Sequence, residues 1–156
     1  MRLVSPERVH LKELMTWFKN QDEVQRWAGP NFHYPLSINS FTQDLNLDSL
    51  DSFALVSKNQ ALLGFGQCYE RLGYCHLGRL AISPQQRGKR LIDELIHSLC
   101  AHGLEKYQTS ICSLFVLENN HAAIKAYNRL GFKLSDYPEK IPMKQCLYML
   151  KTSPSQ

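Results

Sequence analysis

The sequence predicts an α/β fold, a mixed and mostly antiparallel central sheet flanked by helices. Three observations point there. Apolar residues in the first third recur at helical spacing. The stretch 53–82 changes to a period of two, in three segments separated by short turns. The second half then alternates helical stripes with one nearly unbroken apolar run, as expected for a strand covered on both faces. At 156 residues the chain is sized for one domain, expected over 1–151, with a flexible tail at 152–156.

The elements follow in order. Ser5-Pro6-Glu7 reads as a cap followed by proline at the first helical position. Leu11, Leu14, Met15 and Phe18 then mark one buried helical face. A second helix is expected at 22–28, with Val24 and Trp27 three apart. Residues 29–35 hold two prolines and a glycine and read as irregular. A third helix starts at Ser37 or Ser40 and carries Phe41 and Leu45. Strands at 53–57, 61–70 and 74–82 form an antiparallel meander. Leu91, Ile92, Leu95, Ile96, Leu99 and Cys100 form the stripe of a long helix. The apolar run at 110–117 is the central strand. Ala123, Ala126, Tyr127 and Leu130 line another helix, which Gly131 ends as a left-handed cap. Closing strands are expected near 132–134 and 145–150.

Composition narrows the function classes. Apolar residues at 44% and charged residues at 21% are ordinary globular usage, against a disordered or fibrous chain. Eighteen basic against fourteen acidic residues leave a net charge of +4. A dedicated nucleic-acid binder concentrates more basic charge, whereas a local cluster for a small anion fits. Five cysteines, an odd count with no CxxC pair, argue against a disulfide framework or a zinc site. The expectation is reduced thiols, a cytoplasmic setting and no metal. No apolar run reaches the ~18 residues that cross a bilayer, and the N-terminus lacks a secretory core.

The first chemical signal is the turn Arg87-Gly88-Lys89-Arg90, which leads into the helix starting at Leu91. The first amides of a helix lack internal partners, and the macrodipole adds partial positive charge. Glycine admits a ligand close to the backbone. With three cations added, this is a phosphate site, although a solvated basic turn has the same sequence. A Walker loop is excluded, since no Gly-Lys-Ser/Thr stands at the required spacing.

The second signal is the helix running from Asn120 to Phe132. Its pattern, N-x-x-A-I-x-x-Y-x-x-x-G-F, resembles the second cofactor motif of the GNAT superfamily of N-acetyltransferases, and the basic turn then resembles the first. The resemblance covers the chain at the level of the fold and is sharpest at 83–92 and 120–132. It implies a GNAT-like acyl-CoA N-acyltransferase fold, acetyl-CoA as donor and a small-molecule or peptide amine as acceptor. Direct attack in a ternary complex needs no enzyme nucleophile. Nucleic-acid and membrane partners are not expected, and a homodimer is compatible with the family. One departure stands out: the positions usually held by small residues in the phosphate loop are Arg90 and Ile92.

The resemblance also implies roles. Leu80 and Ile82 offer backbone groups to the pantetheine amides, in a gap where the strand ending near Ser83 and the strand 110–117 splay apart. Arg87, Gly88, Lys89, Arg90 and Leu91 hold the phosphates. Asn120 touches the cofactor arm, or simply caps its helix. Tyr127 hydrogen-bonds and protonates the leaving sulfur. His76, with an ordinary pKa of ~6.5, is the candidate base, although a histidine paired within a sheet fits the same position. Glu70 and Glu118 are the alternative bases. Trp27, Phe32, His33, Tyr34 and Tyr69 are candidates for an acceptor wall. Two other functions remain open: a non-catalytic CoA-binding module, and a nucleic-acid binder using the basic turn.

Overall fold

A computed structural model describes residues 1–153. Seven strands form one sheet in the order β1-β2-β3-β4-β5-β7-β6. The strands are β1 (Arg2–Val4), β2 (Asp51–Val56), β3 (Leu62–Arg71), β4 (Tyr74–Ile82), β5 (Ile111–Leu117), β6 (Lys133–Ser135) and β7 (Cys146–Thr152). The helices are α1 (Arg8–Met15), α2 (Gln21–Ala28), α3 (Ile38–Asp44), α4 (Leu91–Lys106) and α5 (His121–Arg129). By contact density the chain forms two compact units. One is Met1–Gln67 with Arg79–Leu95, and the other is Cys68–Gly78 with the chain from Ile96 onward.

In the first unit, β1 runs antiparallel to β2, with Leu3 opposite Leu55. The three helices follow their caps. Glu7, not Ser5, is the N-cap of α1, and its N–H donates to Nδ1 of His10 at 3.0 Å. Pro6 has no N–H to offer that partner, so the helix starts two residues later than the sequence suggests. Asn20 caps α2 by accepting from the Glu23 N–H at 2.9 Å. Ser37 caps α3 by accepting from the Ser40 N–H at 3.1 Å. Phe18 lies past the end of α1 but still packs on the core.

That core gathers Leu11, Leu14, Val24, Phe41 and Leu45 from the helices with Ala54, Val56 and Phe65 from the strands. Trp27 is its hub. Phe18 stacks on it at 4.4 Å, and Phe32, Phe41 and Phe65 surround it within 6.2 Å. Each fully buried large apolar side chain here contributes on the order of 1.5–3 kcal/mol.

In the second unit, β5 is the interior strand that its apolar run predicts. It pairs in parallel with β4, joining Cys75 to Cys112, His76 to Ser113 and Leu77 to Leu114. Along its other edge it runs antiparallel to β7, from Ile111 opposite Thr152 to Leu117 opposite Cys146. Gly103 of α4 lies directly against Cys75, where a methyl group would collide with the sulfur. No disulfide joins the cysteines among the described residues. Thr152 completes β7 and the Ser153 N–H donates to the Ser110 carbonyl. The expected tail therefore does not begin at Thr152, and its last residues, 154–156, lie outside the described ones.

The end of α5 accounts for half of its motif. The Phe132 N–H donates to the Tyr127 carbonyl at 2.9 Å and the Gly131 N–H to that of Asn128 at 3.1 Å. Gly131 has φ +101°, and the Tyr127 and Phe132 rings lie 6.1 Å apart. These are the paired bonds and apolar contact of a Schellman cap. The spacing Tyr-x-x-x-Gly-Phe is thus a helix stop that also fixes the tyrosine.

Candidate functional site

The first unit carries the basic turn. β4 kinks at Arg79, whose φ is +47°. Its guanidinium donates to Oε1 of the fully buried Gln67 at 2.9 Å and lies 4.8 Å from the Phe32 ring. Beyond the kink, Leu80 and Ile82 are half-buried, and the Ser83 N–H still donates to the Leu63 carbonyl at 2.9 Å. A 3-10 turn at Pro84–Gln86 follows. Arg87, Gly88, Lys89 and Arg90 are then all exposed.

Two residues in this turn are left-handed, Gly88 at φ +83° and Arg90 at φ +58°. Arg90 therefore adopts the backbone geometry that glycine supplies freely, at a cost of roughly 1–2 kcal/mol. A methyl group placed on Gly88 would meet nothing within 4 Å. The bulk of Arg90 and Ile92 leaves that backbone open. The turn meets the demands of a phosphate group: accessible backbone, helix-start amides and three cations. Asp93 and Glu94 in the first helical turn temper the charge.

The second unit carries Asn120, Tyr127 and His76. The Asn120 side chain accepts from the Ala123 N–H at 3.3 Å, so it is the N-cap of α5. Tyr127 is 8% exposed, and burial pushes its hydroxyl up to a pKa of about 12. It is a permanent hydrogen-bond donor and a reluctant proton donor.

His76 is 2% exposed. Its Nδ1 shares a hydrogen bond with Oγ of Ser113 at 2.8 Å. The ring sits between Tyr69 at 5.3 Å and Phe115 at 4.7 Å. Burial, and then the positive charge of Arg71, lower its pKa to about 3. A general base works best with a pKa near the operating pH. This imidazole is neutral there but holds a proton only weakly, and its setting is that of a histidine paired within a sheet. Glu70 and Glu118 are exposed.

The residues expected to line an acceptor wall have other structural partners as well. Trp27 and Phe32 belong to the core of the first unit. His33 clasps Asp44, with Nδ1 2.9 Å from a carboxylate oxygen and the His33 N–H donating to the same oxygen at 2.9 Å. Burial would raise the Asp44 pKa, but these His33 bonds hold it below the usual carboxylate value. Tyr34 lines an open depression with Lys12, Met15 and Phe18.

Tyr69 belongs instead to a cluster that sequence reasoning missed. Arg71, at the end of β3, donates from Nε to the Tyr137 hydroxyl at 2.9 Å and from Nη1 to the Tyr69 hydroxyl at 3.2 Å. Its guanidinium lies 5.0 Å from the Phe115 ring and 5.7 Å from that of Tyr137. Nothing local in the sequence links Arg71 to a tyrosine 66 positions away.

Comparison with known proteins adds three findings. Residues 11–132 match the model of the acetyltransferase (GNAT) family. A spermidine N-acetyltransferase from Vibrio cholerae, solved in complex with CoA and spermine, superposes with a TM-score of 0.74 at 16% identity, over 97% of this chain and 95% of that one. The ribosomal-protein-S18-alanine N-acetyltransferase from Escherichia coli superposes with a TM-score of 0.67 at 22% identity, over 99% of this chain and 96% of that one.

Proposed function

The chain belongs to the GNAT acetyltransferase family, and from that premise we propose that it moves the acetyl group of acetyl-CoA to a primary amine by direct attack within a ternary complex. The observation that carries this reading is the turn at 87–91. Its open glycine, three exposed cations and helix start suit the phosphates of a nucleotide tail. A donor of this kind also agrees with the CoA bound by the Vibrio relative.

In this reading Arg87, Lys89 and Arg90 pair with phosphates, while Gly88 and the amide of Leu91 let them approach the backbone. Leu80 and Ile82 offer backbone groups to the pantetheine amides, as an added strand would. Asn120 caps α5, and the role given to Tyr127 is to meet the leaving sulfur with its hydroxyl. Positioning two reactants in this way is worth up to ~7–11 kcal/mol of barrier.

The chemistry then needs two protons removed from nitrogen and one returned, from solvent, to sulfur. An alkylammonium, with an ordinary pKa of ~10.4, must lose its proton before it attacks. His76 is the candidate that takes the first of these protons and hands it on to solvent, and the nitrogen sheds the second as the amide forms. The amine nitrogen bonds to the carbonyl carbon, the carbon–sulfur bond breaks, and the thiolate leaves. Tyr127 donates a hydrogen bond to that sulfur. Its pKa of about 12 against ~8.5 for a thiol favours stabilisation over outright proton transfer.

The acceptor is an amine, in keeping with the spermine bound by the Vibrio relative and the ribosomal-protein alanine acetylated by the Escherichia coli one. A thermal melt with acetyl-CoA, followed by a thiol-release assay over an amine panel, tests the reading. Acetyl-CoA at 100 times its Kd stabilises by ~2.7 kcal/mol, or about 5–10 °C for a chain of this size. No shift at millimolar acetyl-CoA refutes it. A shift without thiol release with any amine favours a non-catalytic CoA-binding module.

A further inference from the structure

We infer that Arg71 is a receptor for a carboxylate carried by the acceptor, so that the amine this protein acetylates is an acidic one. This rests on the acetyltransferase reading and gives it a substrate class.

A guanidinium has five N–H donors. Two of those on Arg71 go to tyrosine hydroxyls, and three have no protein acceptor among the described residues. No carboxylate there pairs with Arg71. Its neighbours are aromatic faces and neutral hydroxyls, and His76 beside it is neutral. The charge is nevertheless partly buried. A guanidinium taken out of water without a counter-ion is costly unless something compensates. Here the Phe115 and Tyr137 rings and two hydroxyls compensate in part and fix the plane of the fork.

The cluster also holds a buried hydroxyl. Tyr148 is 3% exposed and its ring lies 5.5 Å from Phe115 and 4.8 Å from Tyr137. Burial raises the pKa of its hydroxyl, and the nearby Ser113 opposes that rise. A rigid, partly desolvated arginine with free donors matches the two oxygens of a carboxylate. It repels a polyamine, which brings only positive charge. Phe115 and His76 join this cluster to β5 and β4 at the Ser113 pairing, where the candidate base lies.

The test is a titration of the CoA-saturated protein with glutarate and with its uncharged diamide, followed by NMR. Glutarate is expected to bind about tenfold to a hundredfold more tightly. Arg71→Gln should abolish that preference, and Arg71→Lys, which keeps the charge but loses the fork, should retain part of it. Melting curves verify that each variant is folded, and Tyr137→Phe, which frees one corner of the guanidinium, should weaken glutarate binding without a charge change. Turnover is then compared for amino acids, their amides and spermidine. A preference for the carboxylate-bearing amines that falls at least tenfold in Arg71→Gln supports the proposal. Equal glutarate and diamide binding overturns it, as does a rate loss in Arg71→Gln that is the same for every amine. If no amine is acetylated, the acetyltransferase reading fails by itself, and the proposed acidic acceptor falls with it.

Discussion

Lowering the pH should destabilise this protein through His76. The unfolded pKa is ~6.5 and the folded value is about 3. The unfolded state therefore binds the proton first. Stability from the neutral imidazole is complete above pH 6.5, falls as the pH drops below it, and is fully lost near pH 3. Between pH 8 and pH 5 the loss from this one site is about 2 kcal/mol, or roughly 4–8 °C in Tm for a chain of this size. That figure depends mainly on the unfolded pKa, because the folded group has hardly begun to titrate at pH 5. The assay is urea unfolding of the wild type and of His76→Asn at pH 8, 6.5 and 5. Asparagine keeps a polar atom near the Nδ1 position for Ser113 but cannot titrate. The other five histidines are common to both proteins and cancel in the difference. The variant should be less stable at pH 8, and the gap should close by about 2 kcal/mol at pH 5. A gap that stays constant would show that His76 protonates without opposition and that the buried, arginine-flanked site is misread.

Further predictions follow from other contacts. Gly103→Ala should destabilise by about 1–3 kcal/mol, despite the ~1 kcal/mol that alanine gains in a helix, because the new methyl meets Cys75; Cys75→Ala in the same chain should recover part of it, as denaturant melts would show. Tyr127→Phe should slow turnover at least tenfold, on the order expected for a lost donor at a leaving group, while isothermal titration finds acetyl-CoA affinity nearly unchanged. Arg87→Gln with Arg90→Gln should weaken acetyl-CoA about tenfold at low salt, with a smaller difference in 0.5 M salt. Asn120→Ala should cost about 1 kcal/mol through the lost cap of α5.

Much of the frame was legible in advance. β4 occupies the stretch 74–82 that the alternation predicted, and β5 is the interior strand that its unbroken apolar run required. The element missed was β1. Three residues are too few to show an alternation, and Arg2–Val4 is a strand only because the edge of β2 pairs with it. The first helix began at Glu7 instead of Ser5 because a backbone N–H, which Pro6 lacks, was needed to reach His10. Arg90 was recognised as a departure in the phosphate loop. Its positive φ, which lets a large residue stand beside an open Gly88, was not readable from residue order.

Periodicity, caps and the glycine stop of α5 were determined by the sequence itself, because each depends on groups within four or five positions of one another. The basic turn and the tyrosine helix belong to that class, and so does the family assignment they carry. The fate of single side chains was decided only by the tertiary structure. His76 is weakly basic because Ser113, 37 positions away, and a surrounding of rings remove it from water. Arg71 is held in one orientation because Tyr137 and Phe115 come to it from distant strands and loops. Desolvation and long-range pairing set the chemistry of a charge, and neither is written in the residues next to it.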